Sequence, residues 1–258
     1  MKVWVMVVQK LVALVFLSLI FTSGCSNAYQ VAALPKKVTL DSSDVVKMPT
    51  IQALEINKTI KLNGQAIIMN PENVTVNVNH ANRLPVLYEP DDLVVANVRY
   101  PYSGVEERSY LRSEAAEAVE ELFLAAEEIG HILYFNSGYR PYLRQYELFQ
   151  NAQLTHGYDQ TTVAKPGYSE HQTGLAVDIS SNEVNFSLTK QFGLTEEGMW
   201  VADHAHLFGF IIRYPEGKEE ITGYQYEPWH LRYVGEIAAD IYNQSITFEE
   251  YLQIVKKM

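Results

Sequence analysis

The sequence predicts an α+β fold: a central antiparallel sheet with flanking helices. Three observations carry this. Helical and strand patterns occupy separate blocks, without the alternation that builds a parallel sheet. Residues 175–180 alternate with period two, as a strand does. Residues 112–130 carry one amphipathic stripe, as a helix does. No internal repeat is apparent.

The first 24 residues read as an export signal. Lys2 and Lys10 bracket the start, and the apolar run LVALVFLSLIFT (11–22) is too short to span a bilayer comfortably. Small residues follow in TSGC, ending at Cys25, the only cysteine in the chain. A sole cysteine has no internal disulfide partner. The segment resembles a bacterial lipoprotein signal, in which such a cysteine is lipidated and becomes the new N-terminus. Thr22 departs from the leucine usual in that pattern, and an uncleaved membrane anchor is the alternative. Either way the expected location is outside the cytoplasmic membrane but attached to it.

The net charge is −11, and loss of the two signal lysines leaves −13. So acidic a body argues against nucleic acid or anionic lipid as a partner. The acids are dispersed, as in SEAAEAVEELFLAAEE, and read as a solvated surface. The 17 tyrosines suit either a wet groove for a polar ligand or ordinary half-buried strands.

Residues 25–55 mix Ser, Pro, Lys and Asp with little periodicity and read as a tether. Residues 56–78 form a separate hairpin region of open role. There TIKLNGQAIIM (59–69) flanks Asn63-Gly64, the dipeptide of a tight type I′ turn, and NVTVNV (73–78) is a further short strand. The main domain, 79–258, opens with the proline-punctuated loop NHANRLPVLYEPDDLV. Its first helix, 112–130, is expected to be capped by Ser113 and closed by Gly130, with Leu122, Ala126 and Ile129 on the apolar stripe. HILYFNSGYR (131–140) is a strand ending in a glycine turn, and a second helix covers 142–153. A third starts at Thr195 and runs to about 208. GFIIRY and ITGYQYE flank PEGKE as a hairpin, and GEIAADIYNQ begins a C-terminal helix.

Three stretches carry candidate chemistry. In SEHQTGLAVDIS (169–180), Leu175, Val177 and Ile179 share one strand face, and Ala176, Asp178 and Ser180 the other. Gly174 permits a turn that brings His171 back towards Asp178. In YEPWHLRYVG (226–235), Pro228 keeps Glu227 and His230 off a regular helix. Two histidines and an aspartate are three N/O ligands, a count that suits a catalytic zinc with its fourth position open to water. Glu227 is then free to act as the base. In SGYRPYLRQ (137–145), Arg140 follows a glycine turn, where a guanidinium can meet an oxyanion or a substrate carboxylate.

Together these stretches resemble the VanY-type D-alanyl-D-alanine carboxypeptidases, zinc peptidases of the bacterial cell wall with the Hedgehog/DD-peptidase fold. SGYR with Gln145 five residues on, SEHQTGLAVD, FGFIIRYPEGKEEITGY and EPWHLRYVG carry the match, over roughly 79–240. The resemblance implies one zinc ion per chain on His171, Asp178 and His230, and Glu227 as catalytic base. It implies Arg140 as stabiliser of substrate or transition-state charge, with Gln145 and Ser169 lining the substrate site. The expected reaction is removal of the terminal D-alanine from peptidoglycan stem pentapeptides by a monomer. Alternatives are an L,D-carboxypeptidase acting on tetrapeptides and a non-catalytic wall-binding lipoprotein, which would not need Glu227.

Two decoys are set aside. His204 and His206 in DHAH stand about 200° apart on a helix and cannot share an ion. SLTK (187–190) fits the S-x-x-K of serine penicillin-binding enzymes, but SSN precedes it and K-T-G is absent.

Overall fold

The computed structural model describes residues 54–160 and 162–257. Cys25, the signal, and the tether up to residue 53 lie outside the described residues. Among the described residues no helix is long and apolar enough to cross a membrane.

The fold is mixed α and β, with antiparallel pairing in its central sheet. That sheet has four strands: β6 (Leu133–Ser137), β7 (Ala176–Ser181), β8 (Phe210–Ile212) and β9 (His230–Tyr233), in the order β6-β7-β9-β8. All three pairings are antiparallel. The alternation at 175–180 is borne out: Leu175, Val177 and Ile179 are wholly buried. Each such side chain contributes roughly 1.5–3 kcal/mol by leaving water. Ala176, Asp178 and Ser180 are buried too, because β7 is an inner strand covered on both faces.

The predicted hairpin at 59–69 forms as β1 (Thr59–Leu62) and β2 (Gln65–Ile68), with Asn63 and Gly64 both at positive φ. β2 also pairs in parallel with a two-residue strand, β3 (Asn82–Arg83). NVTVNV is not a strand. Its backbone is held by side chains: Thr75 N–H donates to Asn73 Oδ1 (3.1 Å), and Asn77 N–H to Asn57 Oδ1 (2.9 Å). Ile68, Val76 and Val78 lie in the same core as Leu122, Phe135 and Val177, and residues 54–78 share one compact unit with the rest. Leu54, which the sequence places in the tether, packs with Ile56 against a second core cluster.

A short pair, β4 (Leu93–Val95) with β5 (Tyr110–Arg112), leads into α1 (Ser113–Glu128). Ser113 is not the cap. Arg112 occupies that position, and Ser113 lies inside the helix with its hydroxyl 3.4 Å from Asp92 Oδ2. Leu122 and Ala126 are buried as expected, whereas Ile129 is 58% exposed because the chain has left the helix there. α2 (Tyr142–His156) follows the sequence reading; α3 (Glu196–His204) starts where expected but stops short of 208, a 3-10 turn taking over at Ala205–Phe208, and the Thr195 hydroxyl caps α3 by accepting Gly198 N–H at 3.0 Å.

The hairpin expected between GFIIRY and ITGYQYE is displaced. The chain makes a one-turn helix, α4 (Glu219–Thr222), and the partner of β8 is HLRY, eight residues later than Thr222 at its first residue. Two helices end the fold, α5 (Ile237–Gln244) and α6 (Phe248–Val255). The second was not predicted, although Thr247 and Glu250 form a reciprocal capping box before it.

Candidate metal centre and active site

The site grows out of β7 and β9. Asp178 and His230 are partners across the two strands, and Ser137 on β6 lies opposite Asp178 at a bulge. A short turn, Glu170–Thr173, precedes β7 and ends on Gly174 at φ 67°, a left-handed conformation that only glycine adopts readily. That turn carries His171 back over the strand. His171 Nε2 comes within 3.2 Å of Asp178 Oδ2, and His230 Nδ1 within 2.9 Å of Asp178 Oδ1.

Second partners orient both rings. His171 Nδ1 lies 2.7 Å from the Gly138 carbonyl. A carbonyl only accepts, so Nδ1 carries the hydrogen and Nε2 offers its lone pair. Gly138 is required for this approach: a Cβ there would stand 2.7 Å from the Phe135 ring and collide with the Tyr110 carbonyl. Burial and the neighbouring Arg140 keep the His171 imidazolium below its ordinary pKa. His230 behaves oppositely. Burial opposes its charge, but hydrogen bonding to Asp178 and Glu170 prevails and raises it to about 9. Burial likewise opposes Asp178, yet the two histidines hold its carboxyl well below the ordinary carboxylate range.

His171, Asp178 and His230 are all buried, and their donor atoms lie within 4.8 Å of one another. In tetrahedral coordination at zinc–nitrogen distances of about 2.0–2.1 Å, neighbouring ligand atoms stand roughly 3.3 Å apart. The Asp178 contacts at 3.2 and 2.9 Å already approach that edge length. Two imidazoles and one carboxylate are also the ligand chemistry of zinc. The donor set therefore fits the ion.

Glu227 sits on a tight turn. Its N–H donates to the Tyr214 carbonyl (3.0 Å) and its own carbonyl accepts His230 N–H (3.1 Å). Its carboxyl has no hydrogen bond or ion pair among the described residues, and burial raises it to about 7 despite the opposing pull of His230 and Arg140. The Arg140 backbone N–H donates to the His171 carbonyl (3.1 Å). Its guanidinium donates to Gln145 Oε1 (3.1 Å) and Ser137 Oγ (3.3 Å) and stands 3.9 Å from Asp178 Oδ2.

Gln145 is only 1% exposed, and its Nε2 donates to the Ala164 carbonyl at 2.7 Å. Both ends of its amide are thus engaged, one of them by Arg140. Ser169 is buried at the start of the His171 turn. His204 and His206 stack on Trp200 and Tyr242 respectively, as far from shared chemistry as their spacing implied.

Sequence reasoning missed the layer beneath. Glu170, Arg213 and Arg232 have wholly buried side chains, and Glu170 Oε1 accepts from both arginines, at 2.7 and 2.9 Å. The signal was present: an arginine in each of the apolar strand runs FIIRY and HLRYV implies a buried counter-charge. Above them the His230 ring stacks on Tyr214, Tyr214 packs against Tyr224, and Tyr224 stacks on His80.

A buried two-histidine, one-aspartate donor set that fits zinc, with Glu227 close by, is the arrangement a zinc-dependent peptidase requires. The family model described as D-alanyl-D-alanine carboxypeptidase, VanY, matches residues 108–236. The chain belongs to this VanY family. YodJ of Bacillus subtilis (strain 168), a carboxypeptidase by name, is 43% identical over 240 residues, covering 92% of this chain and 86% of its own length. Among solved structures, the LdcB LD-carboxypeptidase matches with a TM-score of 0.75 and 47% identity over 77% of this chain and 94% of its own. A zinc(II) complex of a mutant of the D,D-pentapeptidase VanY from the VanB-type resistance cassette matches with a TM-score of 0.57 and 34% identity. It covers 69% of this chain and 98% of its own. The expected Hedgehog/DD-peptidase-type fold and the zinc cofactor are thereby borne out.

Proposed function

We propose that this protein removes the C-terminal D-alanine from peptidoglycan stem peptides, with zinc held by His171, Asp178 and His230. The convergence of those three buried donors within 4.8 Å, beside Glu227, carries the reading. Bound zinc supplies Lewis acidity, activating water as a nucleophile near neutral pH and polarising the scissile carbonyl.

The protein's own groups do the rest. Glu227 as carboxylate takes the proton from the attacking water on a carboxyl oxygen. It then returns that proton to the departing amine of D-alanine. Arg140, 3.9 Å from Asp178 Oδ2, would meet negative charge, either on the oxyanion of the intermediate or on the substrate's C-terminal carboxylate. Gln145 acts through Arg140, holding the guanidinium against the Ala164 loop. Ser169 is assigned to the substrate edge of the same turn. A non-catalytic wall-binding role is disfavoured by Glu227, which such a role does not need.

Both pentapeptide and tetrapeptide stems end in D-alanine. The likeness to an LD-carboxypeptidase at 47% identity, against 34% for the D,D-pentapeptidase, supports the tetrapeptide as the better substrate over the pentapeptide expected from sequence. Measuring D-alanine release from the two peptides, with and without chelator, tests the function and the preference together. Release from neither, or full release in chelator, would overturn the proposal. We further place the protein outside the cytoplasmic membrane as a monomer tethered by lipid on Cys25. Cys25→Ser should then abolish incorporation of labelled fatty acid, and unchanged labelling would refute the anchor.

A further inference from the structure

We propose that Glu170 is a positioning residue: it fixes the His230 imidazole with its Nε2 hydrogen turned inward and its Nδ1 lone pair turned to the metal. This rests on His230 being a zinc ligand.

Four observations carry it. First, Glu170 and the two arginines are shielded from solvent, and a second carboxylate, Glu249, balances the charge by pairing with Arg213 through both oxygens. Two cations and two anions form a closed set, so Glu170 stays ionised. An ionised carboxylate only accepts hydrogen bonds. Second, the arginines use one oxygen alone, Oε1. Oε2 faces His230 Nε2 at 3.5 Å, and neither atom has a hydrogen-bond partner elsewhere. An acceptor that cannot donate thus looks at the one nitrogen not turned to Asp178.

Third, the carboxylate is fixed in place. Arg232 Nη2 donates to the carbonyls of Val74 (2.8 Å) and Val76 (2.7 Å), and its Nε to that of Tyr233 (3.0 Å). Arg213 Nη2 also reaches Asn77 Oδ1 at 3.4 Å. Fourth, Tyr214 stacks on the His230 ring, with centroids 5.0 Å apart and planes 20° apart, which opposes rotation of the ring. His171 is oriented by a backbone carbonyl in the same sense. Each histidine therefore has an acceptor behind the nitrogen that does not face the metal, the arrangement that sets ligand tautomer and basicity.

The test compares zinc affinity of the full chain by chelator competition in Glu170→Gln and Glu249→Gln. Glu249 belongs to the same buried network but does not touch His230. Glu170→Gln should bind zinc roughly 10–100-fold more weakly. Glu249→Gln should lower the melting temperature and leave zinc affinity unchanged. In the zinc-loaded natural protein, nitrogen-15 histidine spectra should show the His230 hydrogen on Nε2. Unaltered zinc affinity in Glu170→Gln, an equal loss in both variants, or a hydrogen on Nδ1 would each overturn the proposal. If Glu170→Gln does not fold, the spectrum of the natural protein decides. Stoichiometric zinc retained by His230→Ala would instead refute the metal assignment itself, a separate outcome.

Discussion

Asp178 and His230 are direct cross-strand neighbours on β7 and β9, joined side chain to side chain at 2.9 Å. The metal site is therefore written into sheet register. A slip of one residue would turn either ligand to the opposite face.

Asp178 bridges both histidines, so its loss should be the most damaging single change at the centre. Asp178→Ala should weaken zinc binding by more than the roughly 10–100-fold typical of outer-shell changes. Zinc retained after dialysis against chelators of graded strength measures this. Affinity equal to that of Glu170→Gln would remove Asp178 from the ligand set.

Glu227 should separate chemistry from metal binding. Glu227→Gln should lower D-alanine release by about 10²–10⁴-fold while zinc content stays stoichiometric. The pH profile should share this origin. Burial holds the carboxyl at about 7 in the metal-free site, and a neighbouring dication favours the carboxylate, moving the midpoint lower. On the proposed mechanism the carboxylate is the active form, so kcat/KM should fall on the acid side, with a midpoint below 7 in the loaded enzyme. An acid limb that persists unchanged in Glu227→Gln would assign it to another group.

Zinc loading should expel a proton. His230 is raised to about 9 without metal, so at pH 7–8 it is an imidazolium between Asp178 and Glu170, and its Nδ1 must be vacated. Calorimetry at pH 8, where Glu227 is already mostly ionised, in buffers of differing ionisation enthalpy should find close to one proton released per zinc. The same shift has a stability consequence. A raised histidine stabilises the fold fully below its ordinary 6.5, and that contribution disappears as pH climbs through about 9. Metal-free protein should accordingly melt lower at pH 10 than at pH 7, by more than His230→Gln does.

Gly138 should tolerate no side chain. In Gly138→Ala the new methyl meets the Phe135 ring and the Tyr110 carbonyl. Overpacking of this kind costs about 1–3 kcal/mol, and the movement would pull the Gly138 carbonyl off His171. Chemical denaturation and zinc affinity should both register it. A variant with natural zinc affinity would show that the carbonyl does not orient His171.

The candidate ligands were legible because each sits beside a local rule that sequence shows. Period-two alternation marked β7, Gly174 marked the turn, and Pro228 removed Glu227 and His230 from a helix. What failed depended on distant partners. NVTVNV has strand-like alternation, yet its carbonyls are taken by Arg232, more than 150 residues away. ITGYQYE looks like a strand, but β9 binds β8 in its place. Ser113 resembles a cap, but the chain enters the helix one residue earlier. Glu170 was hidden in plain view beside His171, because its meaning depends on Arg213 and Arg232, 43 and 62 residues away.

Arg232 and Arg213 reach outside the stretch by which the family is recognised. Their anchors at Val74, Val76, Asn77 and Glu249 fall on either side of residues 108–236. A fragment trimmed to that stretch would keep Glu170 and the Tyr233 carbonyl but strip both guanidiniums of their flanking acceptors, leaving buried donors unpaired. The smallest portable unit of this enzyme is accordingly larger than its signature. Grafting the site into another scaffold, or exchanging it between relatives, must carry both flanks along.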